Sequence, residues 1–327
     1  MKLLEVQNLS VGFGSEKDEF VAIDDVSFSI DKGETVALIG ESGSGKSVTS
    51  LSILGLLPAN GGIRNGRIFY NDKDLLVLPD KELQKIRGRE ISLIFQDASV
   101  SLNPSIKVGR QITDGLVYHR LMNRKELKRE ALRLLTEVGF HNPTEVFDQY
   151  PGQLSGGMKQ RALIAMAISC KPQLIIADEP TTALDVTIQK QILDLMNEYK
   201  KTTATSLLLI THDFGLVAEY ADRVLVMFGG KIVESADVFT LFKNPIHPYT
   251  KGLMESIPKI EEPKEHLQTI KDAVSLQAGY GGRKFAPETF SADEMVYHSP
   301  STLIEVEPGH YVRFFDEGSE VLKACKH

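Results

Sequence analysis

Thr35-Val36-Ala37-Leu38-Ile39 runs directly into Gly40-Glu41-Ser42-Gly43-Ser44-Gly45-Lys46-Ser47, followed by Val48, Leu51 and Leu54 at helical spacing. The first five residues form a compact apolar run, the mark of a strand buried on both faces. The glycine-rich stretch matches the pattern G-x-x-x-x-G-K-[ST] in full. Strand, loop, helix is the order that phosphate binding requires. Glycines let backbone N–H groups wrap phosphate oxygens without Cβ clashes, and the helix that starts there points its positive end at them. The stretch therefore predicts that Gly40, Glu41, Ser42, Gly43, Ser44, Gly45, Lys46, Ser47 and Val48 hold a nucleotide. Lys46 is expected to reach the β- and γ-phosphates and the Ser47 hydroxyl to coordinate Mg²⁺.

Such a P-loop needs a second carboxylate for the metal. Leu174-Ile175-Ile176-Ala177-Asp178-Glu179 offers four apolar strand residues followed by two acids. Asp178 is the candidate Mg²⁺ group, directly or through water, and Glu179 the candidate general base for the attacking water. Alone, the acids would read as a solvated turn; downstream of a P-loop they read as chemistry.

The rest of the chain is consistent with an ordinary globular α/β protein. Its 327 residues are 42% hydrophobic and 25% charged, which excludes a mainly disordered, collagen-like or coiled-coil protein. The formal net charge of −7 argues against nucleic acid as a partner, since phosphate backbones select clustered Lys and Arg. Two cysteines, Cys170 and Cys325, make neither a disulfide framework nor a Cys₄ metal site. The N-terminal MKLLEVQNLSVGF is broken by Glu5, Gln7 and Asn8, unlike a signal peptide. No run reaches the ~18 apolar residues of a membrane span, so a membrane role is expected to come through a partner chain.

Short apolar runs predict strands at 21–30, 35–39, 91–95, 174–177 and 206–210, and helices at 124–138 and 186–199. Asn123 is the expected N-cap of the first helix and Gly139 its stop. Gly229-Gly230 between two apolar runs predicts a hairpin. Residues 97–165 read as helical. From about 245 the chain reads as an appended tail with a small hairpin around Pro308-Gly309.

Leu154-Ser155-Gly156-Gly157-Met158-Lys159-Gln160-Arg161 resembles the LSGGQ signature of ABC ATPases, with Met158 in the place of the usual Gln. The remaining family motifs occur in the family's order along the chain: Gln96, before the signature, as the Q-loop glutamine, Ala183-Leu184-Asp185 as the D-loop, and His212 as the switch histidine. Phe13 stands where the family stacks an aromatic on adenine. Taken singly, Gln96 could cap a strand, Asp185 could cap a helix, His212 could be a satisfied core histidine and Phe13 plain core. The resemblance narrows to the oligopeptide/dipeptide/nickel importer ATPases through Ile94-Phe95-Gln96-Asp97, Ser101-Leu102-Asn103-Pro104, the 177–187 stretch and Asn244-Pro245-Ile246-His247-Pro248-Tyr249-Thr250.

The resemblance implies an ABC-type P-loop core (1–96 and 166–244) with an antiparallel β subdomain. A helical subdomain (97–165) is inserted into it, and a C-terminal extension (245–327) follows. It implies ATP and Mg²⁺ as cofactors, with Ser47, Gln96 and Asp178 on the metal and Glu179, His212, Gln96 and Lys46 in hydrolysis. Ser155, Gly156 and Gly157 are expected to meet the nucleotide held by a second, homologous ATPase subunit, and Asp185 of the D-loop is expected among the nucleotide-binding residues. The expected partners are that subunit, two permeases and an extracytoplasmic solute-binding protein, at the cytoplasmic face of the membrane. The expected cargo is a peptide, with nickel or another small solute as the alternative and a DNA-repair type ATPase as the alternative from another class. Many relatives carry a cysteine-rich, cluster-binding stretch in the extension; residues 259–324 hold no cysteine, so no cluster is expected. His298, His310, Cys325 and His327 fit no compact ligand spacing, and the tail is expected to be metal-free. The 244–250 motif, with its prolines, is expected to pack as a rigid extended segment.

Overall fold

In a computed structural model of the chain, residues 1–14, 20–182, 184–255, 279–280, 283–285 and 301–315 are described. An eight-stranded sheet forms the centre. Its order is Ser301–Glu307, His310–Phe315, Lys231–Asp237, Arg223–Phe228, Thr35–Ile39, Ser206–Thr211, Leu174–Asp178 and Ile91–Ile94. The last five run parallel; the Arg223–Phe228 strand also pairs antiparallel with Lys231–Asp237.

Side-chain alternation explains why the parallel strands are continuously apolar. Leu174, Ile176, Leu208 and Ile210 face one core, shared with the antiparallel sheet. Ile175, Ala177, Leu207 and Leu209 face another, shared with the helices. The antiparallel sheet, ordered Phe20–Asp31, Lys2–Phe13, Gly61–Tyr70 and Lys73–Asp74, contributes Leu4, Val6, Leu9 and Ile30 to the first of these cores.

Between Ile94 and Leu174 the described elements are helical: Ala98–Ser101, Val108–Tyr118, Arg124–Glu137, Pro143–Asp148 and Gly156–Ile168, with one short 3₁₀ turn. Ile112, Leu134, Leu135, Val138 and Ile164 pack together there. The 124–137 helix begins after Asn123 without a side-chain cap bond and stops before Gly139, whose φ of 86° only glycine takes readily. The 186–199 expectation was short: that helix continues to Thr203 and ends at Ala204 in the left-handed region.

Two expectations near the C-terminus need correction. The 244–250 motif is not extended throughout, because Pro248 opens a helix, Pro248–Glu255. Proline suits a first helical turn, where its missing N–H is not needed. The Pro308-Gly309 hairpin exists but is no free appendage. His310–Phe315 pairs with the outer edge of Lys231–Asp237, extending the central sheet and covering what would be an open edge. The other candidate tail ligands, His298, Cys325 and His327, lie outside the described residues, as does Ala183.

Candidate nucleotide site

Strand register assembles the site. Ile39 pairs with Thr211, Asp178 with Ile210 and Ile94 with Ala177. The C-terminal ends of four neighbouring strands are therefore level, where parallel sheets hold their ligands. Each candidate group follows one of those ends: the P-loop after Ile39, Glu179 after Asp178, Gln96 after Ile94 and His212 after Thr211.

The loop is held tightly. A Cβ on Gly40 would come within 2.1 Å of the Met227 carbonyl oxygen, and one on Gly45 within 2.5 Å of the Ile23 side chain. Both positions therefore exclude any side chain. Gly45 precedes the Lys46–Ile53 helix. Lys46 is buried and its Nζ donates to the carbonyls of Gly40 and Glu41, both at 2.8 Å. Burial lowers its pKa, while Glu179, Asp178 and Glu41 act in the opposite direction. Glu41, Ser42, Gly43 and Ser47 are exposed and Val48 is half-buried, so the rim of the loop is accessible.

Glu179 is where the other groups meet. Its carboxylate accepts from Gln96 Nε2 at 2.9 Å and from the Thr182 hydroxyl at 2.9 Å, and His212 Nδ1 lies 3.6 Å away. Its φ is 46°, unusual for a residue with a side chain. Its N–H is anchored on the Ile210 carbonyl at 2.9 Å. Asp178, one residue earlier, is buried. Burial raises its pKa; the adjacent Ser47 side chain and Lys46 pull it down and Glu179 pushes it up.

His212, with a side chain 67% exposed, is no core histidine. Gln96 caps no strand and bonds Glu179 instead. Its neighbour Phe95, predicted as strand, lies past the strand's end and is exposed. Asp185 does cap a helix, accepting from Ile188 N–H at 3.0 Å, and is exposed. Phe13 is half-buried at a strand end, its ring so near Gly61 that a Cβ there would lie 2.5 Å away.

The signature is built differently. Ser155 caps the Gly156–Ile168 helix, accepting from Met158 N–H at 3.4 Å. Ser155 and Gly156 are exposed and Gly157 is half-buried.

Two supports of the loop were invisible in the sequence. Gly230, in the hairpin turn, donates its N–H to the Ser44 carbonyl at 3.1 Å. The Tyr249 hydroxyl accepts from Glu41 N–H at 3.0 Å. Gly229-Gly230 signals a turn and Tyr249 belongs to a motif, but nothing local says that either touches the P-loop.

The family model described as ABC transporter matches residues 23–182, and that for the C-terminal region of oligopeptide/dipeptide transporters matches 233–289. The oligopeptide transport ATP-binding protein AppD of Bacillus subtilis is 49% identical over 97% of this chain and 98% of its own length. The dipeptide transport ATP-binding protein DppD of Escherichia coli is 46% identical over 84% of each chain. Among solved structures, the dimeric ATP-binding cassette MJ0796 in a post-hydrolysis state with ADP and Pi aligns at a TM-score of 0.65. It has 26% identity and covers 72% of this chain and 98% of that one. With the P-loop, paired acids and signature all in place, these matches make the chain a member of the oligopeptide/dipeptide transport family of ABC transporter ATP-binding proteins.

Proposed function

We propose that this chain hydrolyses ATP at composite sites, each made with a second ATPase subunit, to drive peptide import through membrane-embedded permeases. The observation that carries the chemistry is the convergence of Gln96, Thr182 and His212 on Glu179 beside a complete P-loop. The Lys46 ammonium and the loop's backbone N–H groups hold the phosphates and offset the charge that grows on the γ-phosphoryl group. Glu179 orients the attacking water and takes its proton; Gln96 and Thr182 fix the carboxylate that does so. His212 faces the same carboxylate and supplies an imidazole N–H to the γ-phosphate. Phe13 offers a ring to adenine.

Ser47 and Asp178 suit Mg²⁺. They pair a hydroxyl with a carboxylate, hard oxygen donors of the type that ion takes, and the buried Asp178 carboxyl is one whose charge a cation would stabilise. With the Gln96 side-chain carbonyl they would hold the metal, which when bound would offset negative charge on the phosphates. Exposed Ser155, Gly156, Gly157 and Asp185 are open to a second subunit, as the dimeric relative's architecture suits. No helix among the described residues is long and apolar enough to cross a membrane, which fits a peripheral subunit at the cytoplasmic face attached to two permeases. A solute-binding protein would deliver the cargo. The C-terminal family match and the peptide-transport relatives support a peptide cargo.

The test is affinity purification of the tagged chain from membranes of its source cell, followed by uptake assays. Co-purification of permeases with ATP-dependent peptide uptake is expected. Partners of another class, with ATPase activity stimulated by DNA, would overturn the proposal.

A further inference from the structure

The C-terminal motif reaches under the nucleotide site. Tyr249 is fully buried among Ile39, Val226 and Val233, with its ring 4.2 Å from that of Phe228. Ile39 is the last residue before the P-loop. The Tyr249 hydroxyl accepts from Glu41 N–H at 3.0 Å, and the Glu41 carbonyl in turn accepts from Lys46 Nζ at 2.8 Å. One P-loop residue is thus gripped on one side by the phosphate-binding lysine and on the other by a tyrosine 208 positions away.

Tyr249 is itself fixed. Its own N–H donates to His247 Nδ1 at 3.2 Å. The wholly buried Glu234 carboxylate accepts from the N–H groups of Ile246 at 2.8 Å and His247 at 3.0 Å, and lies 2.8 Å from His310 Nε2. The motif is therefore tied both to the central sheet and to the C-terminal hairpin.

We propose that Tyr249 is a positioning residue of the ATP site: its hydroxyl fixes the Glu41 peptide, and with it the loop carbonyls and the lysine that must meet the phosphates. This rests on the nucleotide-site reading above. Removing the hydroxyl leaves the Glu41 N–H without its acceptor and the loop free to turn that peptide. Phosphate contacts then lose preorganisation, which weakens binding more than the chemical step.

The experiment measures equilibrium binding of MgATP to full-length wild-type, Tyr249→Phe and Lys46→Ala proteins. Melting temperatures are recorded alongside, and kcat and KM are measured in the assembled transporter. For Tyr249→Phe the expected result is a Kd and KM raised about three- to tenfold, the scale of one lost hydrogen bond. Its kcat should stay within about twofold at saturating ATP, and its fold should remain intact at the assay temperature. Wild-type affinity in Tyr249→Phe, with Lys46→Ala impaired, would overturn the positioning role while leaving the nucleotide site standing. So would a lowered melting temperature with unchanged Kd, since that marks a purely structural tyrosine. Wild-type affinity in Lys46→Ala would instead refute the nucleotide-site reading itself.

Discussion

The P-loop side and the signature side of this chain are built on different terms. Around the P-loop the charged groups are engaged within the chain: Lys46 on the carbonyls of Gly40 and Glu41, and Glu179 on Gln96 and Thr182 with His212 beside it. At the signature, Ser155 makes a cap bond to its own helix and presents itself with Gly156 to solvent. A helix N-terminus with a small, exposed surface suits an anion brought from outside. One side thus has its polar groups satisfied within the chain, while the other leaves an exposed helix start, the shape the proposed composite site would need.

Glu179→Gln should give the largest effect on the finished side. The amide keeps the side chain's shape but cannot accept a proton, and loss of a positioned base slows turnover about 10²- to 10⁴-fold. MgATP binding should persist. Turnover at the wild-type rate by the purified variant would remove Glu179 from the base's role and erase the contrast between the two sides.

A smaller effect concerns the support behind the P-loop. Burial pushes the His247 pKa down from 6.5 to about 4, Glu234 opposes this, and Arg313 and Lys251 add to it. The unfolded chain therefore binds this proton more readily than the folded one. Stability present above about pH 6.5 is lost as pH falls towards 4. For a group this buried the loss amounts to roughly 3 kcal/mol. Urea unfolding of wild type and His247→Gln across that window should show a steeper decline in the wild type. Parallel declines would mean that His247 is not held neutral against the motif.

Much of this was legible in the chain itself, and the reason is locality. The P-loop, the acids after an apolar run and the glycine hairpin are each written within a few residues, and period-two or helical spacing marks the elements that flank them. What escaped depends on contacts between distant segments. Glu234 reads as the polar end of a short strand, yet it is wholly buried because His310 and the backbone of Ile246 and His247 close over it. His310 reads as a stray tail histidine until the hairpin that carries it docks on the sheet edge. Phe95 has strand-like neighbours, but the sheet ends at Ile94, where the chain turns to bring Gln96 to Glu179. The prolines of the 244–250 motif suggested extension; one of them instead opens the helix that seats Tyr249.

The signature is proposed to serve another subunit's nucleotide and not its own. Ser155→Arg measures this most directly: MgATP binding by the isolated subunit is set against ATPase activity in the assembled transporter. The bulky side chain should obstruct the partner's site and abolish turnover there, while binding by the isolated variant stays at the wild-type level. Loss of MgATP binding by the isolated Ser155→Arg subunit, with its fold intact, would show that the signature contributes to its own subunit's site.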